Sequence, residues 1–287
     1  MKLGVTGAGG GLGRAFLEQV PSHHDVHVFT HDDLDVGDHH AVMRVLVPLR
    51  LDAVLNFAAF TKVDGCESDP EHAFRDNALG PQSLALAARA TGAVLLHVST
   101  DYVFEGEKGS PYDELDSPNP LSVYGRSKLA GEAFVRHLTP EHVIVRTGYV
   151  FGAGSDYLSG QLRKLADGGT ATGLADRVGS PTYVRHLAAR LLPFLLAGRF
   201  GTYHLAGPEP TTWFDVLQRA KRIGGLPGEI VPQKAGGLGL RAPRPRDSSL
   251  TSLFAGAVEP NPVQSLDAAL AELLVREEVG TTTPFPG

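Results

Sequence analysis

A Rossmann-type doubly wound α/β fold, a parallel sheet covered by helices on both faces with a smaller C-terminal lobe, is what this sequence predicts. Three features predict it. Strand-like and helix-like stretches alternate from residue 2 to residue 147, and a glycine-rich turn joins the first strand to the first helix. The strand candidates are continuous apolar runs, as parallel strands buried on both faces require. At 287 residues and 42% hydrophobic content, the chain can bury one large domain or two lobes. A net charge of −6 with both signs interspersed argues against a dedicated nucleic-acid binder. The single cysteine, Cys66, excludes an internal disulfide framework and fits a reducing compartment. The chain opens on a strand with no basic-then-apolar leader and has no apolar stretch of transmembrane length, so a soluble cytoplasmic protein without a membrane partner is expected.

In order, residues 2–6 form the first strand and residues 15–20 continue as a helix. Between them, Gly7, Gly10 and Gly13 keep a G-x-x-G-x-x-G spacing in which missing side chains let backbone approach a pyrophosphate. No Lys-Ser/Thr follows the glycines, which disfavours a nucleoside-triphosphate loop. Residues 25–30 read as the second strand. It ends in Thr30-His31, where a fold selective for NAD usually carries an acid, while Asp32 and Asp33 just beyond it weaken a case for NADP. Asp35, before a helix over residues 39–49, either caps locally or reaches the adenine. The histidines at 23, 24, 31, 39 and 40 match no metal-ligand spacing, so solvated surface is expected.

Residues 53–59 are the third strand and its exit, with the small pair Ala58-Ala59 suited to close passage of a cofactor. A long amphipathic helix follows over residues 70–91. Its Asn77 must be hydrogen-bonded if buried, as a structural brace or as support for a site. The apolar run 93–98 then delivers Ser99, Thr100 and Asp101 at a strand's carboxyl end. Tyr124-Gly125-Arg126-Ser127-Lys128 puts a phenol and an ammonium one turn apart on one helix face. A phenol with an ordinary pKa of about 10 needs such a cation to exchange a proton near neutral pH. With Thr100 beside them, the three groups can polarise a carbonyl, protonate its oxygen and fix a ribose.

Another parallel strand spans residues 142–147, and beyond Gly152 the chain is less regular. Helices are expected at 183–197 and 213–223, with strands at 201–207 and 228–232. Residues 1–147 read as the dinucleotide-binding part, to which 183–205 returns, and 148–287 as mainly substrate-binding. Residues 241–250, with Arg241, Arg244 and Arg246 among prolines, are either a solvated linker or a lid whose guanidinium groups pair with a diphosphate. The tail from residue 280 is expected to fray.

These stretches together resemble the extended short-chain dehydrogenase/reductases, and within them the dTDP-4-dehydrorhamnose reductase family. Asn56-Phe57-Ala58-Ala59-Phe60-Thr61-Lys62-Val63-Asp64, with Cys66-Glu67, resembles N-x-A-A-Y-T-x-V-D-x-A-E, and residues 99–104 match S-T-D-Y-V-F. Residues 176–182 resemble D-x-x-G-x-P-T, and Arg244-Pro245 with Ser248 and Leu250 resembles R-P-x-x-S-x-L. The resemblance implies Tyr124 as general acid, Lys128 as the group lowering its pKa and holding the nicotinamide ribose, and Thr100 as the polarising hydroxyl. It implies NADPH or NADH held by Gly10, Gly11 and Leu12 at the pyrophosphate, by Asp35 and Val36 near the adenine, and by Ala59, Phe60, Thr61 and Val98 on the nicotinamide half, to which the turn and strand-end positions Gly7, Gly13, Thr30 and Ala58 add further candidate cofactor contacts. Thr100, Asp101, Tyr149 and Arg244 would face a nucleotide-sugar substrate. The family carries Trp where Tyr149 stands and Gln where Gly11 stands. Its members can dimerise and bind magnesium through carboxylates; Glu18 matches only loosely, and no metal site is assigned.

The implied reaction is NAD(P)H-dependent reduction of the C4 keto group of dTDP-4-dehydro-L-rhamnose to dTDP-L-rhamnose. Two other readings share the fold. One is a sugar-nucleotide epimerase or dehydratase that retains NAD; the other is a non-catalytic regulatory subunit of the methionine adenosyltransferase type.

Overall fold

The computed structural model describes residues 1–258 and 263–277. The tail from residue 280 lies outside the described residues. Strand β1 (Lys2–Thr6) leads through the glycine turn into α1 (Gly11–Leu17), followed by β2 (Asp25–Phe29), α2 (His39–Leu49) and β3 (Ala53–Asn56). Then come α3 (Val63–Ser68), α4 (Pro70–Phe74), a π-helical turn (Arg75–Leu79) and α5 (Gly80–Thr91). Strand β4 (Val94–Thr100), helix α6 (Val123–Leu138) and β5 (His142–Thr147) complete the regular alternation.

The remaining chain holds β6 (Val150–Phe151), α7 (Tyr157–Ala166), β7 (Thr170–Leu174), β8 (Val178–Gly179), β9 (Thr182–Tyr183), α8 (Val184–Leu196) and β10 (Gly201–His204). It ends in β11 (Thr211–Thr212), α9 (Trp213–Gly224), β12 (Glu229–Gln233), α10 (Ala255–Val258) and α11 (Leu266–Arg276).

The central sheet has six parallel strands in the order β2-β1-β3-β4-β5-β10. The order reverses between β1 and β3, and such a reversal opens a crevice at the strands' carboxyl ends. Alternate residues face opposite layers: Leu95 and Ile144 join the core under α2, α5 and α6, whereas Leu96, Val143 and Val145 join the core under α1 and α8. Both faces are therefore apolar, which explains the unbroken runs in the sequence.

The expected helix over 70–91 is interrupted by one π turn. That turn presses the Asn77 backbone against α6, where Gly131 leaves room; a Cβ there would collide with the Asn77 carbonyl. Inserting a residue re-aims the side chains around it, and here it buries the Asn77 amide completely.

Outside the central sheet the strands pair in twos: β12 with β7, β11 with β8, and β6 with β9. Residues 241–250 are no solvated linker. Ala242, Ser248, Ser249 and Leu250 are buried, and backbone bonds run from Asp247 N–H to the Gly106 carbonyl and from Ser248 N–H to the Val178 carbonyl. The segment is a strap across the site. No helix among the described residues is long and apolar enough to cross a membrane.

Candidate active site

Helix α6 starts beside the carboxyl end of β4. Ser122 caps it by accepting the Gly125 N–H at 3.1 Å, and the Glu67 carboxylate accepts the Val123 N–H at 2.7 Å, adding a negative charge at the positive helix end. Gly125 is required there: a Cβ would run into the Tyr102 carbonyl. Asn77 then fixes the next turn. Its amide accepts the Phe60 N–H at 2.8 Å and donates to the Phe60 carbonyl at 3.0 Å and to Ser127 Oγ at 3.1 Å. Ser127 in turn donates to the Tyr124 carbonyl at 2.9 Å. The residue thus serves as brace and as site support at once.

Thr100 accepts the Tyr102 N–H and donates to Asp101 Oδ1, each at 3.1 Å. Lys128 is buried and donates to the Val98 carbonyl at 2.7 Å. Burial lowers its pKa to about 8, against the opposing pull of Glu132. Burial pushes the Tyr124 phenol well up; hydrogen bonding with Thr100 draws it down and the Asp101 charge raises it. The expected lowering by Lys128 is not among the influences on the phenol: desolvation dominates, and the ammonium is turned to the Val98 carbonyl. The phenol is therefore protonated at neutral pH, which is the state a proton donor needs.

The glycine turn borders a cavity of about 310 Å³ lined by Gly7, Gly10, Asp35, Val36, Ala58 and Ala59 among others. Gly7 has φ +68°, and a Cβ on it would strike the Phe57–Ala58 backbone, so glycine is what lets the turn lie against the β3 exit beside this cavity. This cradle fits the implied cofactor. Gly13 packs on Ala8, a Cβ there lying 2.6 Å from its Cα, and Gly11 leaves its space to Ala153. Leu12 packs on the main core. Thr30 is tied to Asp33, which accepts its N–H at 2.9 Å and its hydroxyl at 2.6 Å. Asp35 accepts the Gly37 N–H at 2.9 Å and pairs with Arg75, while Asp38 caps α2. Phe60 stacks on His72 at 4.3 Å and lies in the cluster with Tyr124; Thr61 is exposed. Glu18 pairs with Arg185 and, at 3.5 Å, with Arg276; among the described residues no cluster of His, Cys, Asp or Glu is disposed to hold a metal.

A second cavity, about 250 Å³, lies beyond Tyr102 and includes Tyr149, Trp213, Arg177 and Arg244 in its walls. Tyr149 sits in the left-handed region at φ +48°, stacked on Trp213 with centroids 4.8 Å apart. The indole that the family sequence carries at position 149 is thus replaced by a phenol with an indole behind it. Gly179 makes the space, since a Cβ there would enter the Tyr149 ring. Arg244 forms a bidentate pair with Asp64, at 3.0 and 2.6 Å, and holds that carboxyl down to about 2.

Asp101 is buried between Thr100 and Ser248, whose hydroxyl donates to it at 2.5 Å; burial raises its pKa to about 6. A carboxyl raised in the fold stabilises it below the unfolded value near 4, and that contribution is lost as pH rises through about 6. Asp101→Asn is neutral throughout. Its stability relative to the parent should therefore rise by about 2 kcal/mol between about pH 4 and about pH 7. Urea melts at the two pH values measure this; a difference independent of pH refutes it.

Two buried residues escape a reading from motifs. Glu132, four residues after Lys128, accepts Ser99 Oγ at 2.6 Å and Arg146 through Nε at 2.9 Å and Nη2 at 2.8 Å. Arg146, an arginine within an apolar strand, is the signal that points to this pair.

Comparisons with known proteins follow the same lines. The model of a family described as RmlD substrate binding domain matches residues 1–278. A dTDP-4-dehydrorhamnose reductase of Mycolicibacterium smegmatis is 36% identical over 98% of this chain and 87% of its own length. The crystal structure of such a reductase from Clostridium acetobutylicum superposes with TM-score 0.92 at 32% identity, covering 97% of this chain and 100% of that one. One from Bacillus anthracis, in complex with NADP, also gives 0.92 at 30% identity, covering 96% and 99%.

Proposed function

This chain belongs to the RmlD substrate binding domain family, and from that premise we propose that it reduces the C4 keto group of dTDP-4-dehydro-L-rhamnose to dTDP-L-rhamnose with NADPH or NADH. The observation that carries the reading is the meeting of Thr100, Tyr124 and Lys128 at the carboxyl end of β4, in a chain whose glycine turn borders a cavity of about 310 Å³. The division into residues 1–147 for the dinucleotide and 148–287 mainly for the substrate is supported by the two cavities' linings.

Gly7 and Gly10 would hold the cofactor's pyrophosphate, Asp35 and Val36 its adenosine, Ala58 and Ala59 the nicotinamide side, and Lys128 the ribose. Bound dihydronicotinamide supplies the hydride. Thr100 Oγ1 donates a hydrogen bond to the substrate's O4, drawing charge off C4. Tyr124 gives its phenolic proton to the same oxygen as negative charge develops there. A high phenol pKa suits that task, because the acceptor is an alkoxide, a stronger base still. Lys128, one turn after Tyr124 on α6 and positively charged below about pH 8, stabilises the phenolate left behind. Asp101 and Ser248 hold Thr100 and the strap in register on the sugar's other side.

Purified protein should oxidise added NADPH only when dTDP-4-dehydro-L-rhamnose is present, yielding dTDP-L-rhamnose. No oxidation across a panel of 4-keto nucleotide sugars defeats the proposal. So does turnover without added reductant by protein that already carries NAD, the behaviour of an epimerase.

A further inference from the structure

The second cavity contains two guanidinium groups with unequal commitments. Arg244 is bound by Asp64 through both nitrogens of its end and also donates to the Ala242 carbonyl at 2.8 Å, so its charge is matched within the protein. Arg177 is bound at one nitrogen only. Its Nη1 donates to the Asp176 carbonyl at 2.7 Å and meets the Asp176 carboxylate at 3.1 Å, and that carboxylate also accepts the Ala235 N–H at 3.0 Å. Among the described residues, Arg177 Nε is buried with no partner, and no protein acceptor meets Nη2.

A shielded guanidinium N–H without an acceptor is costly, and folded proteins rarely keep one without cause. The unspent Nε–Nη2 edge is the side of arginine whose two parallel donors match a phosphate's oxygens. Around it the cavity offers a flat wall in the Tyr149–Trp213 stack, with Tyr157 tilted against Trp213 at 5.4 Å. At the other end Tyr102 packs edge-on against Tyr124 at 5.9 Å. A ligand with a planar ring, an anionic middle and a sugar end would fill this sequence of surfaces.

We propose that Arg177, not Arg244, is the residue that holds the diphosphate of the nucleotide-sugar substrate, with Arg244 acting as the clamp that fixes the strap to Asp64. This rests on the substrate class proposed above. Asp64 occupies the forked end of the one guanidinium, whereas Asp176 engages the other at Nη1 alone and leaves its Nε–Nη2 edge for a ligand.

Calorimetric titration with dTDP and with thymidine tests the assignment on the full chain, comparing the parent with Arg177→Gln and Arg177→Lys. Losing a charge-assisted bond to phosphate should weaken dTDP binding about 10–100-fold in Arg177→Gln. Thymidine binding and NADPH binding should stay at parent values, and Arg177→Lys should fall between. Equal loss for dTDP and thymidine, or no loss for either, overturns the assignment. If Arg177→Gln does not fold, Arg177→Lys decides: a dTDP affinity equal to the parent's overturns the assignment, because the forked edge would then be dispensable. A parent that binds dTDP no better than thymidine also overturns it. Turnover of the keto sugar, measured separately on the parent, judges the proposed reaction without reference to Arg177.

Discussion

Tyr124→Phe is expected to lower kcat by about 10²–10⁴-fold, the range for loss of a positioned general acid, while NADPH binding and thermal stability stay at parent values. The prediction is large because nothing nearby can take over. Burial holds the phenol in its acid form. Thr100, an aliphatic alcohol and a far weaker acid than a phenol, can polarise the oxygen without protonating it, and Lys128 is directed to the Val98 carbonyl. The helix is braced elsewhere, by Ser122, Glu67 and Asn77 through backbone and Ser127. The fold should thus survive a loss that the chemistry does not. Stopped-flow reduction with saturating NADPH measures it, and a variant with unchanged kcat would remove Tyr124 from the mechanism.

Arg146→Met should cost about 3–5 kcal/mol of stability, the range for a buried ion pair that loses one partner. Glu132 is fully buried, and Arg146 holds its carboxyl below the usual glutamate range in spite of that burial. Without Arg146 the carboxylate keeps Ser99 and the half-exposed Arg136, at 3.1 Å, as partners. A second change, Glu132→Leu on top of Arg146→Met, should recover most of the loss, since an apolar pair leaves no charge to desolvate. Urea denaturation of parent, single and double variants decides this. Equal destabilisation of single and double variants would show that packing, not the stranded charge, sets the cost. Arg146 also lies over the Phe104 ring at 5.2 Å, so part of the recovery is forfeited.

The first half of the chain was legible because one periodicity and one turn carry it. Apolar strands, capped helices and the glycine turn each have a local cause, and the six-stranded order follows from right-handed crossovers between them. The Tyr124 and Lys128 spacing was equally local. What lay outside local pattern was harder. The π turn is set by Asn77 finding partners at Phe60 and Ser127, which are distant in sequence. The pairing of Arg244 with Asp64 joins residues 180 positions apart, so no local pattern names that partner. The two-residue strands β6, β8, β9 and β11 are too short for any periodicity to declare. Helix α11 is different. Leu266, Ala269, Leu270, Leu273 and Leu274 follow the i, i+3, i+4, i+7, i+8 pattern behind a Ser265 cap, so its signal was present in the sequence.

The last strand of the central sheet, β10, arrives only after the chain has travelled through residues 148–200. While the protein is being made, β5 with its apolar Val143, Ile144 and Val145 must wait as an open edge, a template on which other nascent chains can pair. The finished molecule covers that edge with a strand of only four residues that begins at a glycine and continues into threonine. Aggregation is therefore a hazard of synthesis far more than of the mature fold, and a fragment stopped at residue 147 would keep that hazard for good.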